Sequence, residues 1–403
     1  MKIHKQRPWA AVVCAAAVIL AVSGCSTGGS SASADKKGPI VIGAAIGETG
    51  ILKDYDGPIF AVVKQSIAEV NAAGGIEGRK VELKVVDTKS EITRGGQAAQ
   101  QLIDDGAEIL LVTSDFDYGS PAAAVGQKHG IVSITLGAQS PKFGVQGIGD
   151  MAFSFAPSTG NTGSVLATFA KEHGYTKAFT LLDDTISWTR GANAAFTKFH
   201  KQAGGSIVGT DSFKNSDSSI AAQINKIKAA DPDVLFLASY PPGGASALRQ
   251  IRAAGIDIPI LGGDPFDSPG WIDAVPDLSN FFHVTDASVH GDDPDPAVNE
   301  YVDAVEKETG NRPTGGRDLV GDTLVQGLKM AIEKAGTTEG SKLAAALESL
   351  NQQKFLTGAV SFTAEAHIAL ASPLRIIEYT GGKPAYLETV TPAVQASITD
   401  GLG

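Results

Sequence analysis

The chain has 403 residues, 43% of them hydrophobic, and its 33 basic against 44 acidic residues leave a formal net charge of −11. That length and composition support a large buried core divided between two domains rather than one. The acidic balance argues against binding nucleic acid or an anionic membrane surface through a broad basic face.

The N-terminus reads as a targeting segment. Lys2, Lys5 and Arg7 are followed by a fourteen-residue apolar run at 9–22, too short to cross about 30 Å of hydrocarbon as an ordinary helix, so export is expected. Val22-Ser23-Gly24-Cys25 resembles the lipobox of bacterial lipoproteins, in which a peptidase cuts before the cysteine and a diacylglycerol thioether is made on its sulfur. On that resemblance residues 1–24 are a lipoprotein signal peptide, and Cys25 is the new N-terminus and the lipid attachment point. The alternative is an ordinary signal peptide with an incidental cysteine. Removing 1–24 takes away three basic residues and no acid, so the remainder carries 30 − 44 = −14 and one cysteine, hence no internal disulfide. Residues 26–38, STGGSSASADKKG, contain nothing apolar larger than alanine, and packing cannot order them. The segment 25–38 is expected to be a flexible tether with a span of roughly 20 Å.

From Pro39 onward, short apolar runs alternate with longer segments of helical period, the pattern of β-α units on a parallel sheet. A strand is predicted at 40–45, then a helix from Gly57 with Pro58 in its first turn. Ile59, Val62, Val63, Ile67 and Val70 would share one face of that helix, and Gly74-Gly75 would take the left-handed stop. Strands follow at 81–85, 109–113 and 131–135, with helices at 93–104 and 121–128. The rhythm then restarts, with helices at 162–172, 190–203, 219–229 and 244–254 and strands at 178–183, 206–211, 233–238 and 258–262. The expected fold class is therefore α/β, with two doubly wound parallel-sheet lobes and a seam near Phe155-Ala156-Pro157.

Ligands on open parallel sheets sit beyond the carboxyl ends of the strands, which directs attention to the loops 46–56, 113–119, 136–141, 184–189, 239–243 and 263–268. These carry Asp54 and Tyr55; Asp115, Phe116, Asp117 and Tyr118; Asp183, Asp184 and Trp188; Tyr240; Asp264 and Phe266. Rings with nearby carboxylates suit a small ligand bearing an ammonium. The competing explanation for any single aspartate is that it caps the helix after it. There is no Gly-x-Ser-x-Gly elbow and no phosphate-binding Gly-rich loop, and the seven histidines lack metal-ligand spacing. SDFDYG at 114–119 has two acids at calcium-loop spacing but no third and no distal glutamate. No enzyme activity, metal or cofactor is expected.

The segments GPIVIGAAIGETG, SIAEVNAAGGIEGRKVELKVVD, DPDVLFLASYPPGGASALRQIRAAGI and LTGAVSF resemble the leucine/isoleucine/valine-binding proteins of ABC importers, from about Pro39 to Leu387. The resemblance implies a type I periplasmic binding protein, with two lobes hinged by three chain crossings near 155–157, 284–287 and 351–357. Lobe one would be 39–156 plus 287–353, and lobe two 157–286 plus 354–395. It also implies ligand contacts at Tyr55; at the 116–118 loop, where Asp117 and Tyr118 would face the ligand carboxylate; at Ala138 and Gln139 through backbone groups; and at Ser158. Trp188 and Tyr240 would be aromatic walls, Asp264 would grip an ammonium, and Asp318 would lie near a lobe-one wall.

An aspartate at 115 or 117, where amino-acid binders of the family commonly offer Ser or Thr, would repel a ligand carboxylate at close range. With Asp184 and Asp318 it would make a strongly acidic cleft, which points to a cationic, amide or hydroxyl-rich ligand. The expected function is a monomeric, lipid-anchored solute-binding protein on the extracytoplasmic face of the cell membrane. It would pass a small polar ligand, an amino acid or a related amine or amide, to an ABC importer permease. The alternative is a ligand-sensing module of the same fold that reports to a membrane receptor.

Overall fold

The computed structural model describes residues 38–268 and 270–402. The signal peptide, Cys25 and the tether up to Lys37 lie outside the described residues. In the first lobe β1 (Ile40–Ile46), β2 (Val81–Asp87), β3 (Ile109–Val112), β4 (Ser133–Thr135) and β5 (Ala152–Ser154) form one parallel sheet in the order β2-β1-β3-β4-β5. Side chains alternate across it. Ile109 and Leu111 join one core with Ile59, Val63 and Ile67 of α1 (Lys53–Ala72), whereas Leu110 and Val112 join another with Leu102 of α2 (Ile92–Asp104) and Ala122 of α3 (Phe116–His129). Burial on both faces explains why these strands read as continuous apolar runs.

The second lobe repeats the plan. It contains α4 (Thr159–Glu172), β6 (Lys177–Asp183), α5 (Ser187–Gln202), β7 (Ser206–Phe213), α6 (Ala221–Ala230), β8 (Val234–Ala238), α7 (Gly243–Ala253), β9 (Ile260–Gly262) and β10 (Phe281–Thr285). A 3-10 turn at Asp264–Asp267 follows β9. The chain then returns to the first lobe through α8 (Pro296–Thr309), a 3-10 turn at Gly316–Leu319, α9 (Val320–Ala335), α10 (Gly340–Glu348) and the hairpin of β11 (Gln353–Phe355) and β12 (Gly358–Val360). It finishes in the second lobe with β13 (Leu374–Thr380) and β14 (Lys383–Val390). The second sheet runs β14-β13-β10-β9-β8-β6-β7. Its last two strands are antiparallel, so this lobe is mixed at one edge rather than wholly parallel as expected.

Two further expectations change. The helices α1, α3 and α5 begin at Lys53, Phe116 and Ser187, four, five and three residues before the predicted starts. Pro58 and Pro121 therefore sit inside helices rather than opening them. Tyr55, Asp117, Tyr118 and Trp188 thus stand on first turns of helices, where the rigid scaffold fixes them. The third chain crossing also falls later than 351–357. Leu350, Val360 and Phe362 belong to the first-lobe core and Leu374 to a second-lobe core, so the passage lies between 362 and 374. Among the described residues no helix is long and apolar enough to cross a membrane.

The helices α4 and α5 pack at a distance only glycine allows. A Cβ built on Gly163 would lie 2.5 Å from Ala195 Cβ and 2.6 Å from the Phe196 nitrogen. Gly163→Ala is expected to push these helices apart and cost about 1–3 kcal/mol, read as a lower urea midpoint at unchanged m-value.

Candidate ligand-binding cleft

Both sheets place their first strand between the second and third, so successive connections leave in opposite directions on either side of β1/β3 and β6/β8. The crevice at such a switch point opens beyond the carboxyl ends of the strands, and here the two crevices face each other. Between them lies a cleft of about 560 Å³, its mouth included. The first lobe contributes Ile51, Leu52, Tyr55, Ser114, Asp115, Tyr118, Gly137, Gln139 and Arg317; the second contributes Ile186, Trp188, Tyr240, Asp264 and Pro265.

Each rim is fixed by a buried aspartate. In the first lobe Asp56 accepts the N–H of Gly47 at 2.8 Å and of Ser114 at 2.9 Å, tying the end of β1 to the end of β3. In the second, Asp183 accepts the Ser239 hydroxyl at 2.8 Å and the Asn215 amide at 2.6 Å, tying β6 to β8 and its neighbour loop. The Trp188 ring lies against Gly263, where a Cβ would come within 2.5 Å of it. Glycine there is what lets the indole lie close on the strand end.

The lobes touch across the cleft through several polar contacts. The Tyr55 hydroxyl donates to the Pro241 carbonyl at 2.9 Å, and the Trp188 indole N–H donates to Gln139 Oε1 at 2.9 Å. The Ser187 N–H and hydroxyl donate to the Asp117 carboxylate at 2.9 and 2.7 Å. The Arg317 backbone N–H donates to Asp267 at 3.0 Å, and its guanidinium lies 3.9 Å from Asp264. The described conformation is therefore closed.

Of the residues singled out from the sequence, Tyr55, Tyr118, Gln139, Trp188, Tyr240 and Asp264 meet on the cleft wall. Asp117 stands behind it as a bridge to Ser187. Ala138 does not offer its backbone to a ligand, because its N–H donates to Thr135 Oγ1 and its carbonyl accepts the Ser154 hydroxyl. Ser158 is fully buried as the N-cap of α4, its hydroxyl accepting the Asn161 N–H. Asp318 is taken up by its own turn, accepting from Thr314 and from the Gly315 N–H. Asp184 lies at the surface, paired with Arg190 and Lys214. The strongly acidic cleft expected from the sequence thus reduces to Asp115 and Asp264, and it contains a cation, Arg317, that none of the strand-end loops carries. The available signal was Gly315-Gly316 before it. A Cβ on Gly315 would fall 1.9 Å from the Asp267 carbonyl and one on Gly316 1.7 Å from that of Ala287, so only glycines let this segment press against the second-lobe turn at Asp267 and the chain crossing at Ala287.

Burial raises the carboxyl of Asp264 above the usual range, against the opposing pull of Arg317. Asp115 caps α3, accepting the N–H groups of Asp117 and Tyr118 at 2.8 and 3.3 Å. Its carboxyl is pushed up to about 7, by burial first and then by the charge of Asp117; the residue as a whole keeps part of its surface, which moderates the effect. Burial also raises the phenols of Tyr55 and Tyr240, so both present neutral hydroxyls at ordinary pH. Among the described residues no group of three or more His, Cys, Asp or Glu side chains is placed to hold a metal.

Two open α/β sheets closing a small, ring-lined chamber between their strand ends define a two-lobed solute receptor. Residues 39–383 match the family model described as periplasmic binding protein, and the chain belongs to that family. It is a solute-binding protein and not an enzyme. Leu/Ile/Val-binding protein homolog 3 of Brucella melitensis is 26% identical over 353 residues, covering 84% of this chain and 93% of its own. The branched-chain amino acid transporter substrate binding protein LivJ of Streptococcus pneumoniae, solved with isoleucine, has the same fold at a TM-score of 0.79 and 22% identity, over 88% of this chain and 100% of LivJ. An ABC transporter solute binding protein from R. palustris, in complex with benzoate, aligns at a TM-score of 0.72 and 18% identity, over 89% and 98% of the two chains.

The raised carboxyl of Asp115 has a definite linkage. The unfolded chain releases this proton near pH 4 and the folded chain near 7, so the group's contribution to stability declines as pH rises between those values and is constant above them. Asp115→Asn keeps a capping oxygen and removes the titration. Its unfolding free energy is expected to fall less than that of the parent between pH 4 and 8, as measured by urea denaturation at several pH values.

Proposed function

We propose that this protein is a lipid-anchored, monomeric solute-binding protein of an ABC importer, held on the extracytoplasmic face of the cell membrane through Cys25. It encloses a small amino-acid-like solute between its lobes and delivers it to the permease unchanged. The observation that carries the reading is the cleft itself. Buried Asp264 and Arg317, each with a polar atom that has no hydrogen-bond partner, Oδ1 and Nε respectively, share its wall with the rings of Tyr55, Trp188 and Tyr240. A ligand bearing both charges and an apolar body satisfies those atoms and fills the space between the rings. Because its contacts come from both lobes, such a ligand favours the closed form over the open one, and closure reports occupancy to the partner. The lipobox-like Val22-Ser23-Gly24-Cys25 and the Gly/Ser tether support surface retention.

Two measurements test this. Thermal-shift screening against amino acids, amines, amides and aromatic acids is expected to give a rise of several degrees with one amino-acid class; a flat response to every amino acid overturns the reading. Trp188→Ala removes a ring wall and the bridge to Gln139, and is expected to weaken that ligand by about 2 kcal/mol in calorimetric titration. For the anchor, Cys25→Ser is expected to move the protein from the membrane fraction to the soluble fraction of cells, and continued sedimentation with membranes overturns the lipid attachment.

A further inference from the structure

We propose that Arg317 is the group that holds the ligand's carboxylate, so that the cleft selects acids over the amines and amides of the same shape. This rests on the reading of the cleft as the solute site.

Arg317 is only 7% exposed and lines the cleft. Its backbone N–H is used by Asp267. Its guanidinium, however, donates no hydrogen bond among the described residues: Nε is buried without a partner, and the nearest carboxylate oxygen, on Asp264, stands 3.9 Å from Nη1. That is ionic reach but too long for a hydrogen bond. An N–H donor such as Nε that is withdrawn from water and unmet is costly, and the acceptor whose two oxygens match the guanidinium fork is a carboxylate. The Tyr55 ring lies over the guanidinium at 5.4 Å from its centroid and restrains the plane of the fork. Gly137 lies beside the same group, where a Cβ would stand in ordinary contact at 3.5 Å from Nη2.

Arg317 is the cation on the cleft wall among the described residues, and the hydroxyls of Tyr118 and Tyr240 there are neutral donors. The N-terminus of α3 lies there, but its Asp117 and Tyr118 N–H groups are filled by the protein's own Asp115 carboxyl. Of the acids around Arg317, Asp267 and Asp318 are engaged elsewhere, and Asp286 is a further buried carboxyl close enough to feel both Arg317 and Asp264. Asp267 takes the Thr285 hydroxyl and the Arg317 backbone, and Asp318 is held by Thr314 and Gly315. Asp264 keeps one oxygen, Oδ1, without a partner and lines the same cleft wall as Arg317, which places an acceptor for an ammonium beside the donor for a carboxylate. A free α-amino acid meets both, a simple carboxylic acid meets only the fork, and an amide or amine leaves the fork unmet.

The full-length chain is titrated calorimetrically with two matched sets. One comprises leucine, leucinamide, isopentylamine and 4-methylpentanoate; the other comprises phenylalanine, phenylalaninamide, phenethylamine and 3-phenylpropionate. In at least one set the free amino acid is expected to bind about tenfold or more tightly than its amide, and Arg317→Gln to abolish that difference while Arg317→Lys keeps part of it. An amide or amine that binds the parent chain as tightly as the matching acid overturns the assignment of Arg317 and leaves the solute-receptor reading standing. So does an equal weakening of acid and amide by Arg317→Gln at an unchanged melting temperature. Silence from all eight probes overturns the assignment of Arg317, and the receptor reading falls only with a flat response to every amino acid in the thermal-shift screen. Should Arg317→Gln fail to fold, the acid-to-amide ratio of the parent chain still decides.

Discussion

Bringing Arg317, Asp264, Asp267 and Asp318 out of water where the two lobes meet is unfavourable, and the way each charge is compensated decides how the lobes fit. Asp318 is satisfied within its own turn and so stiffens the segment that presents Arg317. Asp267 commits one oxygen to the Arg317 backbone across the gap. What remains is a guanidinium and a carboxylate close enough to offset each other's charge and too far apart to saturate each other's hydrogen bonds. A buried pair in that condition is a weak source of stability and a strong source of selectivity, because whatever enters is judged by how well it completes both partners.

The chemistry of the cleft depends on a repeated architecture. Each lobe winds its sheet in the same order, so each brings the ends of two adjacent strands to the shared face, and each reinforces that rim with one buried aspartate. Tyr55, Tyr118 and Trp188 on the cleft wall sit on first turns of helices, which holds them in place when the lobes separate. The interlobe bonds, by contrast, are few and individually modest. A solute that touches both sides adds to a closure already poised.

The strands and the repeat of β-α units are legible in the sequence because a sheet buried on both faces demands uninterrupted apolar runs, such as Ile109 to Val112. Helix starts are less so. Pro58 and Pro121 look like first-turn residues, yet α1 begins without a side-chain cap, and α3 is capped by Asp115, an acid whose position at a strand end equally suits a ligand-facing role. The hairpin at 353–360 belongs to the first lobe rather than the second, and an apolar pair such as Val360 and Phe362 does not say which core it joins. In the cleft, rings and one acid are legible because their residue types are informative at strand ends. Arg317 is less so, since its partner Asp267 lies some fifty residues away in sequence and the local mark is the indirect one of Gly315-Gly316 before it. Ala138, Ser158 and Asp318 stand in segments next to the wall, but their polar atoms are consumed by neighbours whose proximity only the fold creates.

The mirrored aspartates, Asp56 and Asp183, carry an implication for how a solute is caught. Each cross-links its own jaw and neither reaches the other, so a swing about the crossing segments leaves both halves of the binding surface assembled. An arriving molecule meets a finished edge on whichever jaw it strikes first, and docking requires only that the second be brought up to it.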